Sequence, residues 1–203
     1  MMILSSLSMA EQENKWFMEL GYQVSTKKID GTFTSTTTTI NGTQTGISST
    51  GESWGGVLDN LYLKMGRKVE ICEKYSLAPS LGFTQASLLG DEYHSDALFL
   101  ELPLFYKTEF LATAIEIGPS LKYIYYPNNY YNSKVGQVDF GRESAFAYGL
   151  QSLWGKGNTK FSLGIEKLTS ASSSAISAVG NIENQAIVNA NALYVNLGIH
   201  IGF

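Results

Sequence analysis

Residues 98–126 read LFLELPLFYKTEFLATAIEIGPSLKYIYY. Two alternating runs meet at Leu111-Ala112. In the first, Leu98, Leu100, Leu102, Leu104 and Tyr106 oppose Phe99, Glu101, Pro103, Phe105 and Lys107. In the second, Ile115, Ile117, Pro119, Leu121, Tyr123 and Tyr125 oppose Glu116, Gly118, Ser120, Lys122 and Ile124. A period of two is the signature of a strand with unlike faces. With Leu111 and Ala112 as turn residues, Lys107 stands opposite Glu116 and Glu101 opposite Lys122. A slip of two residues loses both direct pairings, so charge pins the register.

Six further segments carry the same alternation: 16–24, 61–71, 75–84, 145–154, 161–166 and 192–203. Eight strands follow. Only Arg67 breaks an apolar face with a charge. The connections alternate in length. Those around 72–74, 110–113 and 155–158 are short. Those between are longer, and most are rich in Ser, Thr, Asn and Gly, beginning with the Thr-rich tract GTFTSTTTTINGTQTGISSTGES. Long loops are uncommon in compact soluble domains, whereas barrels of the outer membrane pair short turns at one end with long loops at the other. Both termini then lie on the short-turn side.

Alternation does not say which face is inside. A soluble lipocalin-like barrel buries its apolar face; a membrane barrel shows it to lipid. Three features favour the second. Gly21, Gly66, Gly82, Gly118, Gly149, Gly164, Gly198 and Gly202 all fall on the polar face. A narrow lumen needs small residues there, and a solvated face does not. On the apolar face, Trp16, Tyr75, Tyr106, Trp154, Phe161 and Phe203 sit toward the short turns. Tyr22, Phe83, Tyr123, Tyr125, Phe146 and Tyr148 sit toward the long connections. Rings so sorted resemble two interfacial girdles around an aliphatic band. The polar face mixes both signs: Glu19, Lys64, Lys68, Glu70, Glu101, Lys107, Glu116, Lys122 and Glu166, with His200. The expectation is a lumen closed by ion pairs. Pro79, Pro103 and Pro119 oppose this reading, since a closed ring has no edge for a missing N–H; they must fall at bulges or strand ends.

Composition agrees. The chain has 203 residues, 16% of them charged, and a net charge of −4, which offers no basic surface to nucleic acid. The lone Cys72 makes neither an internal disulfide nor a Cys-based metal site. The first ten residues, MMILSSLSMA, are apolar and small. They read as the remainder of a secretory signal (1–10) ahead of a barrel domain, 11–203.

LFLELPLFYKTEF resembles the L-E-I-P-L-L-L-K-Y strand of the PorT-like outer-membrane β-barrel family of Bacteroidota. AIEIGPSLKYIYY resembles that family's following E-A-G-P-Y-L-G-Y strand, and KYSLAPSLGFTQASLL its F-S-L-Q-P-E-L-L-Y-S-Q-K-G strand. The family also places Pro at the positions of Pro79, Pro103 and Pro119. The resemblance implies membrane location and architecture, and no single chemistry. The closing ALYVNLGIHIGF is similar to the terminal strand read by the barrel-insertion machinery, with Tyr194, Ile199, Ile201 and Phe203 as the signal residues.

Chemistry is sparse. Gly51-Glu52-Ser53-Trp54-Gly55 matches G-x-S-x-G, but a Ser/Thr-rich tract precedes it and a strand follows, not the strand–turn–helix that the motif needs. Only His94 and His200 could serve as bases. No catalytic, metal-binding or cofactor-binding residue is expected. The reading is all-β: an eight-stranded antiparallel up-and-down transmembrane β-barrel, monomeric, held by outer-membrane lipid, with periplasmic termini and loop-mediated binding, adhesion or a structural role. The alternatives are a soluble lipocalin-like small-molecule carrier and a barrel-embedded lipid-modifying enzyme.

Overall fold

The computed structural model describes the backbone of residues 15–39, 42–85, 93–110, 112–133, 136–139, 142–169, 173–179, 182–189 and 193–203. Side chains are described for 15–24, 60–85, 96–110, 112–128, 130, 142–169 and 193–203. The signal segment expected at 1–10 lies outside these residues.

The strands are β1 (Lys15–Thr39), β2 (Gly42–Cys72), β3 (Tyr75–Leu77), β4 (Ser80–Gln85), β5 (Tyr93–Phe110), β6 (Thr113–Ser133), β7 (Gly136–Asp139), β8 (Glu143–Trp154), β9 (Thr159–Thr169), β10 (Ser173–Val179), β11 (Ile182–Asn189) and β12 (Leu193–Gly202). β1 pairs with β2 on one side and β12 on the other. The ladder runs from β2 through β3 and β4 to β5, β6, β8 and β9, and back to β12. All pairings are antiparallel. With β3 and β4 as halves of one stave, eight staves close a ring, which leaves no free edge at the level of the staves. At the seam the first and last staves meet: the Phe203 amide donates to the Trp16 carbonyl at 2.9 Å.

The register defines the barrel's shape. From Thr159, partners lead through Ile201, Met18, Met65, Leu81, Leu100, Tyr123 and Phe146 back to β9 at Thr169, ten residues further on. That shear over eight staves implies a strand tilt of about 40° and a radius of about 8 Å. The lumen has room for side chains and little else.

The apolar face is outside. Leu20 is 58% exposed, Leu100 57% and Leu121 53%, while Glu19 and Glu166 are each 1% exposed. This overturns the lipocalin-like alternative, whose aliphatic face would be enclosed. Levelled by register, the two aromatic sets form separate rings. Among the described residues, exterior positions between the rings carry no charged side chain. Ser152 also points outward there, yet it is covered: the Trp154 indole donates to its Oγ at 2.8 Å, and that hydroxyl donates to the Leu163 carbonyl at 3.2 Å.

The prolines lie where the ladder is interrupted. Arg67 N donates to Pro79 O, and Ala78 N to Pro103 O, both at 3.1 Å. The return bonds need N–H groups that Pro79 and Pro103 lack, so one stave divides into β3 and β4. The β5–β6 ladder likewise skips Leu104 and Phe105 opposite Gly118 and Pro119.

Several expected loops are strands. The Thr-rich tract continues β1 to Thr39 and β2 back from Gly42, in one hairpin. PNNYYNSKVGQ is divided between β6 and β7, which pair. ASSSAISAVGNIENQ supplies β10 and β11; these pair with each other, and β11 also pairs with β1. Thr and Tyr suit a pleated backbone without apolar alternation, so a strand with no apolar face escapes a period-two reading. The short turns are as expected; Ala112 takes φ 60°, and Gly155 and Gly157 take φ 133° and 79°.

Candidate functional site: the charged lumen

Glycine and large side chains meet across neighbouring staves. Tyr62 is the register partner of Gly21, Gly66 of Phe17, and Phe99 of Gly82. A Cβ on Gly82 would lie 2.1 Å from Phe99 Cζ, and one on Gly21 2.3 Å from Tyr62 Cζ. The rings lie in the space that the missing side chains leave, so Gly21, Gly66 and Gly82 are seats for Tyr62, Phe17 and Phe99.

Two chains of paired charge cross the lumen, one beneath the Tyr62 and Phe99 seats and one beneath the Phe17 seat. In the central one, Glu19 stands 3.4 Å from His200 Nδ1 and 3.2 Å from Lys64 Nζ. Lys64 reaches Glu101 at 2.8 Å; Lys122 reaches Glu101 at 3.3 Å and Glu166 at 2.6 Å. Neutral donors fill the remaining lone pairs. Tyr62 Oη donates to Glu19 at 2.8 Å, Ser120 Oγ to Glu101 at 3.3 Å, and Gln151 Nε2 to both Glu101 and Glu166. Every stave except the interrupted β3–β4 contributes a side chain. Nearer the short turns, Lys107 pairs with Glu70, Lys68 bridges Glu70 (3.7 Å) and Glu116 (2.6 Å), and Lys160 also holds Glu116. Each chain buries charges that desolvation would penalise by several kcal/mol apiece if they were unpaired.

All ten interior residues singled out from the sequence therefore sit in one of two networks. The expected hairpin register holds: Lys107 faces Glu116 and Glu101 faces Lys122. Glu101 and Lys122 are in contact. Lys107 is not turned to its register partner but to Glu70, because Lys68 and Lys160 already occupy Glu116. Tyr194 lies inside, 3% exposed, on the opposite face from Ile199, Ile201 and Phe203.

Sequence reasoning missed two apolar layers within the lumen. Phe17, Ala78, Phe105 and Leu153 form one between the charge chains. Tyr62, Phe99, Ile124, Tyr126, Leu168 and Tyr194, with small alanines, form another above the central chain. Phe17, Phe99, Phe105 and Ile124 were visible as apolar intrusions on the polar face. Between Gln23, Tyr62, Lys64, Phe99, Glu101, Lys122 and Asn196, about 10 Å³ of free space remains. That is at most one water. His200 stacks on Phe17 at 4.5 Å between centroids, occupied as a lumen group. The side chains of Ser53 and His94 lie outside the described residues.

Among the described residues, an exterior band without charge surrounds a charged, packed interior, the inversion that a lipid surround imposes on a barrel. No protein-family model matches the chain, and no curated protein does. Among solved structures, the outer membrane protein OprG from Pseudomonas aeruginosa aligns with 95% of this chain and 97% of its own, at 12% identity and a TM-score of 0.45. Neisserial surface protein A aligns with 90% and 97%, at 8% identity and 0.43. The outer membrane protease OmpT from Escherichia coli aligns with 93% and 97%, at 10% identity and 0.39. At these values the likeness is distant.

Proposed function

We propose that the chain is an integral, non-conducting β-barrel of a Gram-negative outer membrane, of PorT-like type. Its short turns and termini are periplasmic, and its function is carried by the strand extensions beyond the far girdle. The observation that supports this is the pairing of an uncharged exterior band with interior ion pairs that cross the lumen. The role is structural, or binding and adhesion through those extensions, rather than catalysis. The barrel works as a monomer, is delivered by the insertion machinery through its last strand, and is held by lipid. Ile199, Ile201 and Phe203 share the exterior edge such a machine would meet.

Heat-modifiability tests the reading. Expressed behind a working signal, the protein is expected in the outer-membrane fraction, with a gel mobility that changes on boiling. Recovery as a soluble periplasmic protein with no shift would overturn it. In planar bilayers the folded barrel is expected to pass no steady current. A stable single-channel conductance would remove the closed-lumen part of the proposal.

A further inference from the structure

Among the described residues, Arg67 is the one charge on the outward face of the staves at the level of the lower aromatic ring, and it has no use inside the barrel. It lies on β2 between Met65 and Val69, beside Trp16 of β1, level with the lower aromatic ring. Its side chain is exposed, and its guanidinium has no ion-pair or hydrogen-bond partner among the described residues. By contrast Lys64, Lys68, Lys107, Lys122 and Lys160 are all paired inside. A groove of about 520 Å³ opens at Arg67 and runs up the belt over Met65, Pro79, Leu81, Leu100 and Leu102 to Tyr123 and Phe146. It lies over the ladder interruption at Pro79.

We propose that this groove seats one phospholipid of the periplasmic leaflet, with its phosphate on Arg67 and an acyl chain along the leucines. The inference rests on the membrane orientation proposed above. An unpaired guanidinium at headgroup depth presents a planar fork of donors, and phosphate diester oxygens match it better than they match a point charge. The lining beyond it is mostly apolar, Met65, Pro79 and the leucines with Tyr123 and Phe146, and only Ser80 and Glu101 add polar atoms; that suits methylene chains better than a hydrated ligand. A free phosphate would use the fork and leave the groove empty, whereas a phospholipid uses both.

The test uses the intact folded barrel in a maltoside detergent, which carries no phosphate, with intact-complex mass spectrometry as readout. Phosphatidylglycerol is offered against diacylglycerol with the same chains. Wild type is expected to retain one phosphatidylglycerol and little diacylglycerol. Arg67→Gln is expected to retain about ten-fold less, the loss of a charge-assisted pair of hydrogen bonds, and Arg67→Lys to fall between. Leu81→Trp, which fills the groove, is expected to lower retention with Arg67 intact. Equal retention by wild type and Arg67→Gln would overturn the proposal. So would equal retention of both lipids, or displacement of the lipid by inorganic phosphate alone. Unboiled mobility is read on every variant. A wild type that shows no heat-modifiable form fails the membrane reading itself; a heat-modifiable wild type that ignores phosphatidylglycerol fails only this inference.

Discussion

At the scale of single residues, small side chains decide what the lumen can hold. A Cβ on Gly149 would lie 2.0 Å from the Ile165 carbonyl oxygen, which is backbone and cannot turn aside. On Gly164 it would lie 3.3 Å from Asn196 Nδ2, where a small shift relieves it. Gly149→Val is therefore expected to cost at least 1–3 kcal/mol, roughly the range of overpacking, and Gly164→Ala clearly less. Urea unfolding in lipid vesicles measures both. Lys122 gives a second case. It serves Glu101 and Glu166 together, so Lys122→Met strands buried carboxylate and is expected to cost about 3–5 kcal/mol. Adding Glu166→Gln is expected to recover part of that loss; a double change as costly as the sum would show that the two side chains act independently.

At the scale of elements, alternation made the staves readable and proline divided one of them. The hairpin of β5 and β6 was legible in detail, because two charge pairs and a two-residue turn agree on one register. The extensions of β1, β2 and β6, and the β10–β11 hairpin, were not. Beyond the apolar belt no apolar face is required, so Thr, Ser, Asn and Tyr form strands without marking a side. Leu153 and Leu168 also escaped, each lying where the short alternating runs give out. Register could be read from sequence, but not which of several nearby carboxylates a long lysine selects, as Lys107 and Glu70 show. The interruptions make a prediction of their own. Among belt-level amides, those flanking Ala78–Pro79 and Gly118–Pro119 are expected to exchange hydrogen fastest, since their ladders lack return bonds. Uniform protection along these staves would mean that neighbouring bonds make good the loss.

At the scale of the whole molecule, an apolar belt and a charged lumen must hold together. Leu102 lies in the belt between the aromatic rings and is 46% exposed. Leu102→Arg places a charge against lipid and is expected to cost about 2–4 kcal/mol near mid-bilayer while leaving a foldable barrel. If the aliphatic face were enclosed, the same change would abolish folding, and heat-modifiability of the variant separates the outcomes. The seam has a consequence of a different kind. Because the Phe203 amide bonds to the Trp16 carbonyl, the ring is a circle in which the break between first and last strand has no privileged place. A gene re-cut at the turn of residues 155–158, with Phe203 joined to Lys15 through a short linker, would ask for the same hydrogen-bonded wall. Its terminal aromatic would then lie mid-chain. Such a rearranged protein, folded from urea into vesicles and separately offered to living cells, divides what the wall demands of its sequence from what a cell demands of its last few residues.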